Sequence, residues 1–300
     1  MNTKTKAWIE AVRLRTLPAS VAGVVTGAAC AFHYGMQSWL QALLCLLFAT
    51  AAQVASNFAN EYFDFRKGLD RKGRDGFRRG VTEGDISPRA MLAATLATLG
   101  GACAIGLAIL LLNGQWWLLL PGVLIAIFVL AYSAGPWPLS HHGMGDVAVI
   151  LFFGIVPVCL TAYLCNGSSF IAMPLALPSS AAIGLLAANI LIVNNYRDMD
   201  DDKACGKHTT VVIFGRKVMG YVYLANGLVA IIIMSPVWRE TLPYGGWFIP
   251  FLYLAIHYSI WLKLRKRSGA ALNPLLGLTA MTLLMVSLFT AAALFMSAVK

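Results

Sequence analysis

The sequence predicts an all-α integral membrane protein of about nine transmembrane helices with a cytoplasmic N-terminus. Three observations carry this reading. Residues of the AVILMFWYC class make up 59% of the 300-residue chain and charged residues only 12%, and mean hydropathy is +0.71. Apolar runs of span length recur along the whole chain, and nearly all Lys and Arg fall on one side of them. A soluble globular domain carries about 25% charge, so this chain lacks the polar side chains to cover a water-facing surface. A soluble enzyme, a disulfide-rich secreted domain and a disordered chain are excluded on that ground. Residues 1–300 read as one polytopic membrane domain.

Residues 1–15 are basic, with Lys4, Lys6, Arg13 and Arg15, yet contain Trp8, Ile9, Val12 and Leu14. That mixture predicts a short interfacial helix on the cytoplasmic surface. No cleavable signal pattern is expected, because the first apolar run is already of span length and more follow. Apolar segments then fall at 17–34, 38–61, 88–112, 115–134, 146–165, 173–196, 217–238, 243–262 and 273–298. A span needs about 20 residues at a rise of about 1.5 Å each, and each run is near that length. They are too long and too uniformly apolar for barrel strands.

The basic residues test the count. The N-terminal segment has four. The segment after the second run has eight: Arg66, Lys67, Arg71, Lys72, Arg74, Arg78, Arg79 and Arg89. The segment after the sixth has Arg197, Lys203, Lys207, Arg216 and Lys217, and the one after the eighth has Lys263, Arg265, Lys266 and Arg267. The segment after the fourth has none. One face thus holds 21 of the 23 Lys and Arg, leaving Arg239 and Lys300 for the other. This bias places the N-terminus in the cytoplasm and the C-terminus outside. It also accounts for the net charge of +10 without nucleic-acid binding. None of the six cysteines forms a CxxC pair and five lie in apolar runs, so they read as small buried hydrophobes rather than disulfides or a metal site.

The acids are not explained by topology. Of 13 Asp and Glu, six lie in the segment after the second run (Glu61, Asp64, Asp70, Asp75, Glu83, Asp85) and four in that after the sixth (Asp198, Asp200, Asp201, Asp202). Gln53, Asn57, Asn60, Glu61 and Asp64 follow offsets of one helical face, polar in an otherwise apolar helix. Asn194, Asp198 and Asp202 do the same if the sixth helix continues, with Asp200 and Asp201 pointing elsewhere. Two helices therefore end in an Asn-then-Asp stripe at the same membrane face, as in a degenerate internal repeat with one site between its halves. Mixed-charge solvated loops would account for a single stripe. Two matched ones, each preceded by Asn inside the apolar phase, point to function. Hard oxygen ligands suit Mg²⁺ held by carboxylates together with substrate phosphates. Arg66, Lys67, Lys203 and Lys207 would face those phosphates. Adjacent His141 and His142 cannot share a helix face and read as solvated loop residues. Asp146 opens the fifth helix as an N-cap or a site residue.

These segments resemble the signatures of the UbiA superfamily of intramembrane prenyltransferases. Asn60-Glu61-Tyr62-Phe63-Asp64, with Asp70 downstream, is similar to the family's first motif, and Asp198 to Asp202 to its second. Glu61 stands where the family usually has Asp, which keeps the charge but moves the carboxylate one methylene outward. The wider context resembles the branch acting on 1,4-dihydroxy-2-naphthoate, through Arg13 to Pro18, Asn57 to Asp64, Lys67 to Asp70, Gly143 to Asp146, Asn194 to Asp198 and Gly206 to Thr210. The likeness spans about residues 7 to 217.

The resemblance implies helices around a central cavity, opening to lipid and capped by polar cytoplasmic loops. It implies transfer of a polyprenyl group from its diphosphate to an aromatic acceptor at the inner membrane, with Mg²⁺ as cofactor. Asn60, Glu61, Asp64, Asp198 and Asp202 would hold the metal. Asp64, Asp198, Asp202 and Lys203 would carry catalysis. Asn57, Arg66, Lys67, Asp70, Asn194, Asn195, Arg197, Lys207, Tyr132 and Asp146 would contact substrates, with Asn195 and Arg197 orienting the acceptor or its carboxylate. Tyr62, Tyr132 and Tyr196 could shield a carbocation or belong to the interfacial aromatic belt. Other acceptors of the superfamily are 4-hydroxybenzoate, homogentisate and haem. A transporter would keep its ionisable groups near the midplane instead of at one interface.

The charge split generates a topological prediction. A cysteine placed in the 71–79 segment should label only from the cytoplasmic side, and one near Thr241 only from outside. The reverse pattern would overturn the orientation.

Overall fold

A computed structural model describes residues 2–36, 38–73, 76–167 and 173–299. Arg74, Asp75 and Lys300, counted above among the loop and terminal charges, lie outside these. The described chain is almost entirely helical. Helix α1 (Thr3–Val12) is capped by Asn2, whose side chain accepts from the Lys4 amide. It buries Ala7 and Ala11 and sets Trp8 edge-on to Phe58. Arg13 ends it in the left-handed region (φ 56°), and α2 (Leu17–His33) leaves at 44° to it, with Pro18 in its first turn.

Ser38 caps α3 (Trp39–Arg66), and a one-turn α4 (Gly80–Glu83) follows. Ser87 and Pro88 start α5 (Pro88–Asn113), which stops at Gly114 with φ 66°. Helix α6 is Leu119–Ala131. Helix α7 (Gly145–Val149) passes through a π-helical stretch, Ile150–Ile155, into α8 (Val156–Asn166). Then come α9 (Ala176–Ala204), α10 (Thr210–Ile233), α11 (Ser235–Glu240), α12 (Phe248–Leu264) and α13 (Asn273–Ala298).

Among the described residues, six helices are long and apolar enough to cross a membrane, and a seventh if the bent pair α1–α2 is one span. The fourth and eighth apolar runs form shorter helices, Trp116–Ala131 and Phe248–Leu264. Every apolar run is thus helical, although fewer than nine reach full span length. The seventh starts at Thr210 instead of 217, because Gly215 (φ 78°) breaks the helix and lets an extra turn precede it. Cysteines are free throughout the described residues; Cys30, Cys45 and Cys165 are buried as expected, but Cys103 is exposed.

Helix α9 is the most buried span and α5 the least. Large apolar side chains such as Leu111, Leu120, Ile232 and Phe251 point outward, as a lipid-facing surface requires. Small residues let helices meet closely. A Cβ on Gly154 would lie 2.4 Å from the Gly184 Cα, and one on Gly27 2.5 Å from the Val158 carbonyl oxygen. The Gly154–Gly184 contact presses the π-helical stretch onto α9 and so fixes the wall of the central cavity. Thr241 is buried and its neighbour Arg239 exposed, so Arg239 is the position to label on that side.

Gly154→Ala should therefore force the two helices apart, at about 1–3 kcal/mol as for other overpacked contacts. Gly100→Ala, whose Cβ would meet nothing within 4 Å, should be neutral or slightly stabilising. Melting temperatures of the two variants in detergent check this; equal values would refute the close contact.

Candidate active site

A cavity of about 430 Å³ runs between α2, α3, α5, α6, α8 and α9. Its walls are apolar over most of their length, with Phe48, Leu110, Leu118, Phe152, Leu160 and Leu164. Its other end is polar. There α3 contributes Gln53, Asn57, Asn60 and Asp64, and α9 contributes Asn194, Asn195, Asp198 and Asp202. Helix α9 does continue to Ala204, which brings the Asn194, Asp198 and Asp202 stripe to the cavity. Asp200 and Asp201 leave it for surface ion pairs with Arg216 and Arg71.

Each cavity acid is held by named partners. Asp64, fully buried, accepts from the Lys207 ammonium at 2.8 Å, and His141 Nε2 lies 3.3 Å from its other oxygen. Burial works against the Lys207 charge, but Asp64 and Asp202 outweigh it and hold its pKa above the ordinary lysine value. Lys207 therefore stays cationic at physiological pH. Asp198 takes a two-pronged interaction from Arg197, with Nε at 2.7 Å and Nη2 at 2.8 Å. Arg197 also donates to Asn194 and Asn273, and its face covers Phe77 at 5.0 Å. Arg15 approaches Phe77 at 5.8 Å, so Phe77 ties the loop after α3 over the cavity mouth.

Asn60 is a junction. Its carbonyl oxygen accepts from Arg13 at 2.6 Å and Arg79 at 3.1 Å, and its amide donates to Ser133. Asn57 donates to the Val12 carbonyl, which anchors α1. Arg79 is buried, pairs with Asp70 at 3.4 Å and comes within 4.0 Å of Asp64. Its Nη1 has no hydrogen-bond partner among the described residues. A buried guanidinium N–H left open beside a cavity suits an anionic ligand.

Several expected residues lie elsewhere. Glu61 does not line the cavity: it sits about 40° round α3 from Asn57, about 60° from Asp64 and about 100° from Asn60, and its carboxylate accepts from the Val81 amide at 3.0 Å. It anchors α4 instead. Lys203 and Arg66 are exposed and off the cavity, since neither shares its helix's polar face. Lys67 donates to the Ser133 and Gly135 carbonyls, and Asp70 holds Arg79. The fork of Arg197 is spent on Asp198, which leaves none for an acceptor carboxylate. Tyr132 and Asp146 line the cavity, whereas Tyr62 and Tyr196 do not.

Sequence reasoning missed three residues. His141 is buried against Asp64 rather than solvated, and nothing in its local sequence marks it. Arg79 reads in the sequence only as topological charge, and Arg13 as topological charge and the start of a stretch that carries the family resemblance, neither as a site residue. The left-handed turn that aims Arg13 at Asn60 is invisible to a charge census.

The donor set fits a divalent cation that arrives with phosphates. Asp64, Asp198, Asp202 and Asn60 offer hard oxygens. No three His, Cys, Asp or Glu side chains converge into a cage among the described residues, so substrate oxygens and water would complete the shell. Lys207, Arg79 and Arg13 would match the phosphate charge.

The chain matches the UbiA prenyltransferase family over residues 20–288. It is 32% identical to the 1,4-dihydroxy-2-naphthoate octaprenyltransferase of Escherichia coli over 98% of this chain and 97% of that protein. It is 36% identical to the protein of that name from Haemophilus influenzae over 72% of this chain and 71% of that one. A solved UbiA homologue from Archaeoglobus fulgidus bound to GPP and Mg²⁺ superposes with TM-score 0.66 at 20% identity, covering 98% of this chain and 100% of that one. An apo homologue from Aeropyrum pernix gives 0.67 at 17% identity, with 92% and 97% covered. Acid-tipped helices around an apolar cavity, and this match over most of the length, identify the chain as a member of the UbiA prenyltransferase family, a multi-pass membrane enzyme that transfers prenyl groups.

Proposed function

We propose that the enzyme moves a polyprenyl group from its diphosphate to 1,4-dihydroxy-2-naphthoate, at the cytoplasmic face of the inner membrane and with Mg²⁺. The carrying observation is the junction of two opposed chemistries: buried carboxylates and cations at one end of a cavity whose remainder is apolar. That shape suits a ligand with a charged head and a long hydrocarbon tail. The acceptor reading rests on the name shared by the bacterial relatives and on the Arg13, Asn57 and Asn194 segments.

Bound Mg²⁺ would neutralise charge growing on the leaving diphosphate. Asp64, Asp198 and Asp202 with Asn60 are the residues to hold it. Lys207, Arg79 and Arg13 receive phosphate oxygens, pre-aimed in a water-poor site where such charges count most. Arg197 keeps the Asp198 carboxylate in one orientation. The apolar walls take the tail, each buried CH₂ contributing about 0.8 kcal/mol. They also keep water from the allylic centre, with Tyr132 and Phe128 turning aromatic surface to the same space.

Asp64→Asn and Asp198→Asn should each lower turnover by about 10²-fold or more, as removal of one preorganised electrostatic group does elsewhere. Assay of radiolabelled prenyl transfer to dihydroxynaphthoate in membranes decides this, and near-normal rates at limiting Mg²⁺ would refute the site. Arg197→Lys keeps charge but loses the fork. It should raise the Mg²⁺ concentration needed for half-maximal rate and leave the acceptor KM unchanged. A change confined to the acceptor KM would return Arg197 to the acceptor.

A further inference from the structure

We propose that Asp146 receives the ring hydroxyl of the aromatic acceptor and takes its proton; this rests on the reading of the enzyme as an aromatic prenyltransferase. The cavity has a second polar wall, apart from the acidic helix ends. It is built from two paired loops: the His208 amide donates to the His141 carbonyl at 2.9 Å, and His142 and His208 form a short bridge. The first loop presents Tyr132, Ser140 and Asp146 to the cavity, and the second presents Lys207, Thr209 and Thr210.

Asp146 differs from the other cavity acids. Asp64 and Asp198 are held by cations. Asp146 is held by a neutral hydroxyl: Thr210 Oγ1 donates to its Oδ2 at 2.6 Å. Its Oδ1 is shut off from bulk water and has no hydrogen-bond partner among the described residues. The Thr209 hydroxyl, on a residue only 5% exposed, is likewise without one. An N-cap role does not account for Asp146, since Met144 occupies the N-cap and no side chain caps that helix. A buried carboxylate oxygen without a donor is costly, and a ligand that brings an O–H removes the cost.

The placement suits the reaction. Lys207 sits on the diphosphate side and Thr210 on the Asp146 side, three residues apart, at most about 10 Å of chain. The acceptor hydroxyl thus comes near the allylic centre. Its O–H bond breaks, the proton passes to Asp146, and the electron pair stays on oxygen and enriches the adjacent ring carbon. That carbon donates a pair to the allylic carbon as the allylic C–O bond breaks and its pair leaves with diphosphate. Aromaticity returns when the substituted carbon loses carbon dioxide, or loses its proton to the released diphosphate, its bonding pair returning to the ring in either case, and the ring oxygen recovers its proton from Asp146.

The test uses membranes holding wild type, Asp146→Asn and Thr210→Val, with one prenyl diphosphate, Mg²⁺ and three acceptors: dihydroxynaphthoate, a ring-halogenated analogue with a more acidic hydroxyl, and the methyl ether. Asp146→Asn should lose about 10²-fold or more in kcat/KM for dihydroxynaphthoate, lose less with the acidic analogue, and keep the donor KM. Wild type should discriminate strongly against the ether, and Asp146→Asn should not. Thr210→Val, which keeps the charge, should show a smaller loss of the same kind at unchanged melting temperature. It decides the matter if Asp146→Asn does not fold. Equal losses with every acceptor, a raised donor KM, or an unaffected Thr210→Val would overturn the proposal. A wild type that prenylates no hydroxylated aromatic would instead overturn the parent reading.

Discussion

A carboxylate buried as deeply as Asp64 cannot remain charged without a cation beside it. Lys207 supplies that cation from the loop that follows α9, 143 residues along the chain. This ion pair joins the two acidic helix ends into one site. Asp202 adds its charge to Lys207 from the α9 side, and Arg79 approaches Asp64 from the loop after α3. Were Lys207 absent, Asp64 would neutralise or the loops would part.

The rest of the mouth is organised around that constraint. Further contacts join distant segments across the mouth, Arg13 to Asn60, Arg197 to Asn273 and Thr210 to Asp146, while Asp198 and Asp70 are held from within their own segments by Arg197 and Arg79. The segments crossing the mouth are thus cross-linked by polar contacts, while the apolar remainder needs only small residues to let the helices close. The result is a rigid charged head-site on an oily cavity, which is what cleavage of a prenyl diphosphate needs: charge stabilisation at one end and exclusion of water at the other.

Much of this is legible in the sequence because a lipid surrounding imposes a small number of strict rules. Each apolar run contains a helix, although six or seven rather than nine are of span length among the described residues, and the 3.6-residue period brings Asn57, Asn60, Asp64, Asn194, Asp198 and Asp202 to the cavity. The same period explains where the reading strayed. Glu61 shares the motif but not the face. Lys203 and Arg66 are charged residues near the right helix ends that point outward. Residues that reach the site from loops were harder to see. His141, Arg79 and Arg13 are placed by turns, by pairing between distant loops and by one left-handed backbone position, none of which has a period. Arg197 reaches the cavity, but its fork goes to its neighbour Asp198, a pairing that adjacency in sequence does not reveal.

The most direct test of this account is a double-mutant cycle on stability across the Asp64–Lys207 pair. Asp64→Asn and Lys207→Met each leave the other group buried without its partner, whereas the double variant removes both. Melting of the purified protein in detergent should show each single variant well below wild type and the double variant less damaged than the sum of the two, by a coupling of about 0.5–3 kcal/mol. Strict additivity would mean that the pair does not hold the two halves of the site together.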